Sequence, residues 1–216
     1  MKIDSKIHRI RSAYSYIFPS QILVNNGKTF LSAITFDDGP CPGNTEKILS
    51  ILDDNNIKAT FFISGQEADK YHKLVKLIFN AGHQLANHGY FHKTIDELGT
   101  DNYINGVNKT HEILEDAASA NISKVFRPPY GEMRLLVTYK LIRLGYQYVL
   151  WSYDTRDSYL DSAEKIINHM ADNPPRSGEI FLMHDDYERL SDALPELITL
   201  LKERGSEFCR IDEIHA

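Results

Sequence analysis

The chain is poor in cysteine, with only Cys41 and Cys209 among 216 residues, so no disulfide framework and no thiolate-spaced metal site is encoded. Free thiols in a reducing compartment are the plain expectation. Long hydrophobic runs are also missing, and nothing approaches the roughly 18 consecutive apolar residues of a membrane-spanning helix. Lys2, Lys6, Arg9 and Arg11 imitate the basic start of a secretory signal, but only Tyr16-Ile17-Phe18 precedes Pro19. That run is too short for export, so a cytoplasmic protein is expected. A basic balance is absent as well: 24 Lys/Arg against 30 Asp/Glu give −6, which argues against nucleic acid as the main partner. No internal repeat, linker or low-complexity tract marks a second globular unit.

What is present suits one sizeable core: 42% apolar and 11% aromatic residues. The first 30 residues differ, with five Lys/Arg against one Asp. Ile7, Ile10, Tyr14 and Ile17 recur there at helical spacing. Residues 1–28 are read as an N-terminal extension, a helix lying across the domain, with weak contact to an anionic membrane surface as the alternative.

From about residue 29 to 216, strand-like runs alternate with amphipathic stretches. Residues 30–36, 59–63, 84–87, 124–126, 146–151, 178–183 and a segment near Phe208 read as strands. Helices are expected after Asn44 or Thr45 as a cap, and over 67–81, 101–118, 132–144, 161–172 and 191–204. Such alternation predicts an α/β fold with about seven parallel strands, curled into an incomplete barrel. Asp37-Asp38, His88, Arg127, Asp154 and His184 each sit just past a predicted strand, on the rim where such folds gather catalytic groups.

Each of these segments has chemistry of its own. Adjacent carboxylates at a strand end point to opposite sides unless the turn redirects one. The pair Asp37-Asp38 would then divide into a ligand for a cation and a base for water. His88 and His92 share a face if their segment is helical. With Asp38 they offer two nitrogens and one oxygen, a set suited to zinc and also to cobalt or nickel. Arg127, fixed by Pro128 and Pro129, is placed to orient a carboxylate. His184 is a candidate general acid, with Asp154 or Asp157 to hold its ring. Asp185 and Asp186 read as solvated.

Taken in order, Thr35-Phe36-Asp37-Asp38-Gly39, His88-Gly89-Tyr90-Phe91-His92, Arg127-Pro128-Pro129-Tyr130, Asp154 to Asp157 and Leu182-Met183-His184 resemble the five motifs of the polysaccharide deacetylases, carbohydrate esterase family four. The resemblance spans residues 29–212. It implies a distorted, incomplete (β/α) barrel and one divalent metal held by Asp38, His88 and His92. It further implies Asp37 as general base, Arg127 as its partner, His184 as general acid and Asp157 as the group that tunes it. The Tyr130 N–H would help hold the oxyanion, Leu182 would line the acetyl pocket, and Pro128, Trp151 and Tyr159 would border the substrate groove. Two departures stand out. Gly89 replaces a Ser/Thr that would brace the metal-binding loop, and Ser158 stands where a Trp is common, leaving that wall smaller or supplied by Tyr159 or Tyr153. The implied reaction is metal-dependent hydrolysis of an N-acetyl, or O-acetyl, group on a carbohydrate. A small amide or imide substrate, or a non-catalytic sugar-binding relative, are the alternatives.

Overall fold

The computed structural model describes Tyr14, Ile17, Phe18, residues 20–23 and residues 31–214. β1 (Ile22–Leu23) precedes β2 (Leu31–Asp37), which is buried along nearly its whole length. α1 (Asn44–Asp54) buries Thr45, Ile48, Leu49 and Leu52, the spacing of one helical face. Its cap is Gly43 rather than Asn44 or Thr45, whose side chains turn towards a strand-end loop instead. β3 (Thr60–Ile63) follows. Where one helix was expected over 67–81 there are two, α2 (Gly65–Lys70) and α3 (His72–Asn80), separated by non-helical Tyr71. The break lets α2 approach the following helices closely, and a Cβ at Gly65 would lie 2.2 Å from the Thr110 hydroxyl.

β4 (Gln84–Asn87), α4 (Ile95–Leu98), α5 (Thr100–Ala118) and β5 (Val125–Phe126) come next. A 3₁₀ turn at Pro129–Gly131 leads to α6 (Leu135–Arg143), β6 (Gln147–Val149) and β7 (Tyr153–Asp154). α7 (Ala163–Asp172), β8 (Ile180–His184), α8 (Glu188–Glu203) and β9 (Glu207–Phe208) complete the alternation.

All strand pairs among the described residues are parallel, in the order β1-β6-β5-β4-β3-β2-β8-β7, with β9 beside the start of β2. β1 and β7 end the path without meeting, so the barrel is incomplete, as expected. Nine strands form among the described residues where about seven were expected. The two extra ones, β1 and β7, are two residues each. β1 also recruits part of the expected N-terminal extension into the sheet. Tyr14 and Phe18 pack on the cluster that includes Val137 and Leu141. Ile7 and Ile10 lie outside the described residues, and no helix among the described residues is long and apolar enough to cross a membrane.

Both faces of the sheet are covered, which explains strands that read as continuous apolar runs. Ile34 and Phe36 of β2, with Phe181 and Met183 of β8, face the helical layer. Ala33 and Ile180 alternate with them and face the barrel interior beside Phe62, Ala86 and Val149. Thr35, Asp37, Leu182 and His184 continue that inward series, because Thr35 pairs in register with Leu182 and Asp37 with His184. The same alternation that builds the core therefore delivers polar groups to the interior at one end. Leu194→Ala, at a fully buried position of α8, is expected to cost about 2–5 kcal/mol in urea denaturation. Leu135→Ala, at a position 58% exposed, should stay within about 0.5 kcal/mol of the parent.

Candidate active site

The turn after β2 separates the two carboxylates. Asp37 is the last strand residue and points inward; Asp38 adopts φ +77°, a left-handed conformation unusual for a side chain other than glycine. That backbone reversal defeats the alternation that would send Asp38 to the opposite face. Both carboxylates consequently face His88, with Asp37 Oδ2 3.7 Å and Asp38 Oδ1 3.4 Å from its Nε2.

Arg127, the residue after β5, is wholly buried inside the barrel. Its Nη1 donates to Asp37 Oδ1 at 2.6 Å and to the Thr35 hydroxyl at 2.7 Å. Its Nε and Nη2 donate to the Val149 and Leu150 carbonyls, both at 3.2 Å. The guanidinium lies over the Phe62 ring, 3.9 Å from its centroid, and 5.7 Å from the centroid of the Trp151 ring. Burial lowers the guanidinium pKa from its ordinary value, and Asp37 opposes that shift. The pairing leaves Oδ1 of Asp37 committed and Oδ2 turned towards His88.

The histidine pair does not lie on a helix, contrary to the spacing argument. His88 to His92 form an irregular turn after β4, and Gly89 reverses the chain at φ +79°. A side chain at position 89 would be strained there for conformational reasons. The bracing expected from a Ser/Thr hydroxyl comes from elsewhere. Asn87 Oδ1 accepts the Gly89 N–H at 2.8 Å, and the N–H groups of Gly65 and Gln66 donate to the Gly89 and Tyr90 carbonyls. His88 Nδ1–H donates to the Arg127 carbonyl at 2.8 Å, which fixes the tautomer and leaves Nε2 free to accept a ligand. Tyr130, itself at φ +58°, sets its ring edge-on to His92 at 4.4 Å and donates its hydroxyl to the His92 carbonyl.

Asp38, His88 and His92 offer three ligand atoms within 4.8 Å of one another. Asp38 Oδ1 is buried without a hydrogen-bond partner and lies 3.4 Å from the Nε2 of each histidine. An orphaned carboxylate oxygen converging with two imidazole nitrogens fits a divalent cation, because such an oxygen is costly to bury alone. Burial works against the charged form of Asp38. His88 and His92 outweigh it, holding the carboxyl well below the usual carboxylate range.

His184 ends β8 on the other side of Asp37. Asp157, fully buried, accepts the His184 backbone N–H at 2.8 Å and lies 3.2 Å from His184 Nδ1. Thr155 Oγ1 donates to Asp157 Oδ1 at 2.8 Å, and Arg189 Nε donates to the Asp157 carbonyl. Asp154, the other candidate partner, instead accepts the Arg156 N–H in a local turn. Burial disfavours the imidazolium, but the Asp157 hydrogen bond and charge, with Asp37 and Asp38, push its pKa up to about 9.

Leu182 lies inward, two residues before His184 and in register with Thr35. Pro128 is buried and Trp151 half-buried beside Arg127. Tyr159 is 81% exposed, and Tyr153 packs on Phe181 and His169 on the outer side of the sheet. A cleft of about 490 Å³ opens beside Asp38 and His92, bordered by Pro42, Gln66, Asp186 and Tyr187. Asp185 is 1% exposed rather than solvated, and burial pushes its carboxyl up to about 7. Burial and Asp38 push Asp186 up to about 6. No periodic pattern exposes Asp185, since it lies in a short polar run beyond an apolar strand.

With fold and geometry in hand, comparison with known proteins assigns the family. Residues 25–149 match the family model for polysaccharide deacetylases. A peptidoglycan-N-acetylglucosamine deacetylase of Bacillus cereus is 38% identical over 180 residues, 82% of this chain and 65% of that protein. The chain thus spans just under two thirds of that relative's length. The crystal structure of the Bc1960 peptidoglycan N-acetylglucosamine deacetylase, with a bound N-oxidanyl-benzamide, superposes with a TM-score of 0.86 at 34% identity. That match covers 93% of this chain and 95% of the other. BA3943 of Bacillus anthracis, a CE4 family pseudoenzyme, gives 0.83 at 25% identity, covering 90% and 69%. The chain belongs to the polysaccharide deacetylase family, carbohydrate esterase family four.

Two outcomes follow from the site. Arg127→Met strands the Asp37 carboxylate in the barrel and is expected to cost about 3–5 kcal/mol in denaturation of the metal-free protein; a loss under about 1 kcal/mol would contradict the buried pairing. The raised His184 pKa stabilises the fold fully below the unfolded value of about 6.5. That contribution should fade as pH rises through about 9, and in His184→Gln this part of the pH dependence should disappear.

Proposed function

We propose that this chain is a divalent-metal-dependent deacetylase that hydrolyses the N-acetyl group of an acetylated glycan, with N-acetylglucosamine of peptidoglycan as its foremost substrate. The observation that carries the reading is the gathering at one end of the strands of a ligand trio, an arginine-held carboxylate and a carboxylate-held histidine. The deacetylases among its relatives supply the substrate class. A pseudoenzyme of the same fold means that architecture alone does not carry the assignment. The assignment rests on the individual side chains.

Asp38, His88 and His92 would hold the metal, zinc first by donor type, with cobalt or nickel suited to the same set. A divalent ion there would supply Lewis-acid polarisation and lower the pKa of water. Asp37 Oδ2 accepts the proton of the attacking water, while Arg127 engages Oδ1 and holds the carboxylate in orientation. His184, protonated at neutral pH, donates to the departing amine nitrogen as the C–N bond breaks. Amide and water thereby become acetate and a free amine. The Tyr130 N–H is assigned to the developing oxyanion, and Leu182 to the acetyl methyl.

Acetate release from N-acetylglucosamine oligomers, with zinc or cobalt added, tests this assignment. Asp37→Asn is expected to lower kcat by about 10²–10⁴-fold. Chelation should abolish turnover, and the rate should fall as pH rises through about 9, where His184 loses its proton. Turnover of small amides with none of acetylated sugars would overturn the glycan assignment.

A further inference from the structure

Among the described residues, Asp185 is a buried carboxylate near the cleft that the proposed chemistry does not use. It follows His184 directly, and its side chain reaches across to the turn that carries Asp38. Its Oδ2 accepts the Thr45 hydroxyl proton at 2.7 Å, and the Thr45 oxygen accepts the Cys41 N–H at 2.8 Å. Asn44 Nδ2 donates to the Asp185 carbonyl at 2.6 Å, and the Asp185 N–H approaches the Asp37 carbonyl at 3.4 Å. The carboxylate also rests on Gly39. A Cβ there would fall 2.0 Å from Asp185 Oδ1 and 2.3 Å from its carboxyl carbon. Gly39 does not need a left-handed backbone, so what the position demands is room for this carboxylate.

These contacts enclose residues 39–45 from three sides, immediately after the residue whose conformation needs support. Asp38 holds φ +77° without any hydrogen bond on its buried Oδ1. A left-handed aspartate is strained and persists only where surrounding structure over-determines it. Thr45, Asn44 and Asp185 supply that determination, tying the β2 turn to the end of β8. The same clasp fixes the spacing between Asp38 and His184.

We propose that Asp185 and Thr45 are positioning residues that hold Asp38 in its ligand-presenting conformation, so that metal affinity depends on a hydrogen bond remote from the metal. This inference rests on the metal site proposed above. It assigns no proton transfer to Asp185 and no contact with substrate.

The test is cobalt titration of the metal-free full chain, with thermal melting measured in parallel. Thr45→Val removes the donor at nearly constant volume, Thr45→Ser restores it, and Asp185→Ala removes the acceptor. Thr45→Val and Asp185→Ala are expected to bind cobalt about 10–100-fold more weakly, the range for removing a group that orients a metal ligand. Thr45→Ser should bind within a few-fold of the parent. Should Asp185→Ala fail to fold, the Thr45→Val and Thr45→Ser pair decides alone. Parental cobalt affinity in Thr45→Val, with only the melting temperature lowered, would make the clasp a stabilising contact and overturn the proposal. A parent chain that binds no cobalt would contradict the metal assignment itself and the clasp with it.

Discussion

Arg127 carries its charge across the interior of an incomplete barrel, and the organisation of the site depends on how that charge is satisfied. Four hydrogen bonds and two aromatic faces surround the guanidinium, and only one partner, Asp37, is an anion. A buried ion pair is a poor source of net stability, because desolvation consumes much of its Coulombic gain. Its value here is geometric. Through one carboxylate oxygen it fixes the orientation of the other. Through its own carbonyl Arg127 accepts from His88 Nδ1, so one residue orients both the proposed base and a proposed ligand.

Around that pair the fold distributes chemistry by strand register. β2 and β8 lie side by side in parallel, so Thr35 and Leu182, then Asp37 and His184, appear as successive inward layers. Strand ends lack side-chain partners of their own, and loops there can depart from regular geometry. Asp38, Gly89 and Tyr130 all have positive φ, and all three lie at the site. These are the positions where local propensity is overridden, and each is held by contacts from a different part of the chain.

The sequence made the alternation of strands and helices legible because its long elements are periodic. Residues that act singly were harder to read. The helical reading of His88 and His92 failed because a spacing of four suits either a helix or a turn, and Gly89 decides for the turn. Tyr71 interrupts an apparently continuous helical pattern, since α2 must come close to Thr110 and Tyr90. Asp185 looked solvated because its partners, Thr45 and Gly39, are about 140 residues away. The facing of Tyr153 was hard to read for a different reason: β7 is too short for its facing to be inferred, and that facing turns Tyr153 outward.

The central claim is that two adjacent aspartates have separate roles, imposed by Arg127 on one and by a left-handed turn on the other. Metal titration of Asp37→Asn and Asp38→Asn, side by side in the metal-free protein, tests that division most directly. Asp38→Asn should lose most of its cobalt or zinc affinity, while Asp37→Asn binds metal and fails to release acetate. Equal loss of affinity in both variants, or loss confined to Asp37→Asn, would contradict the account.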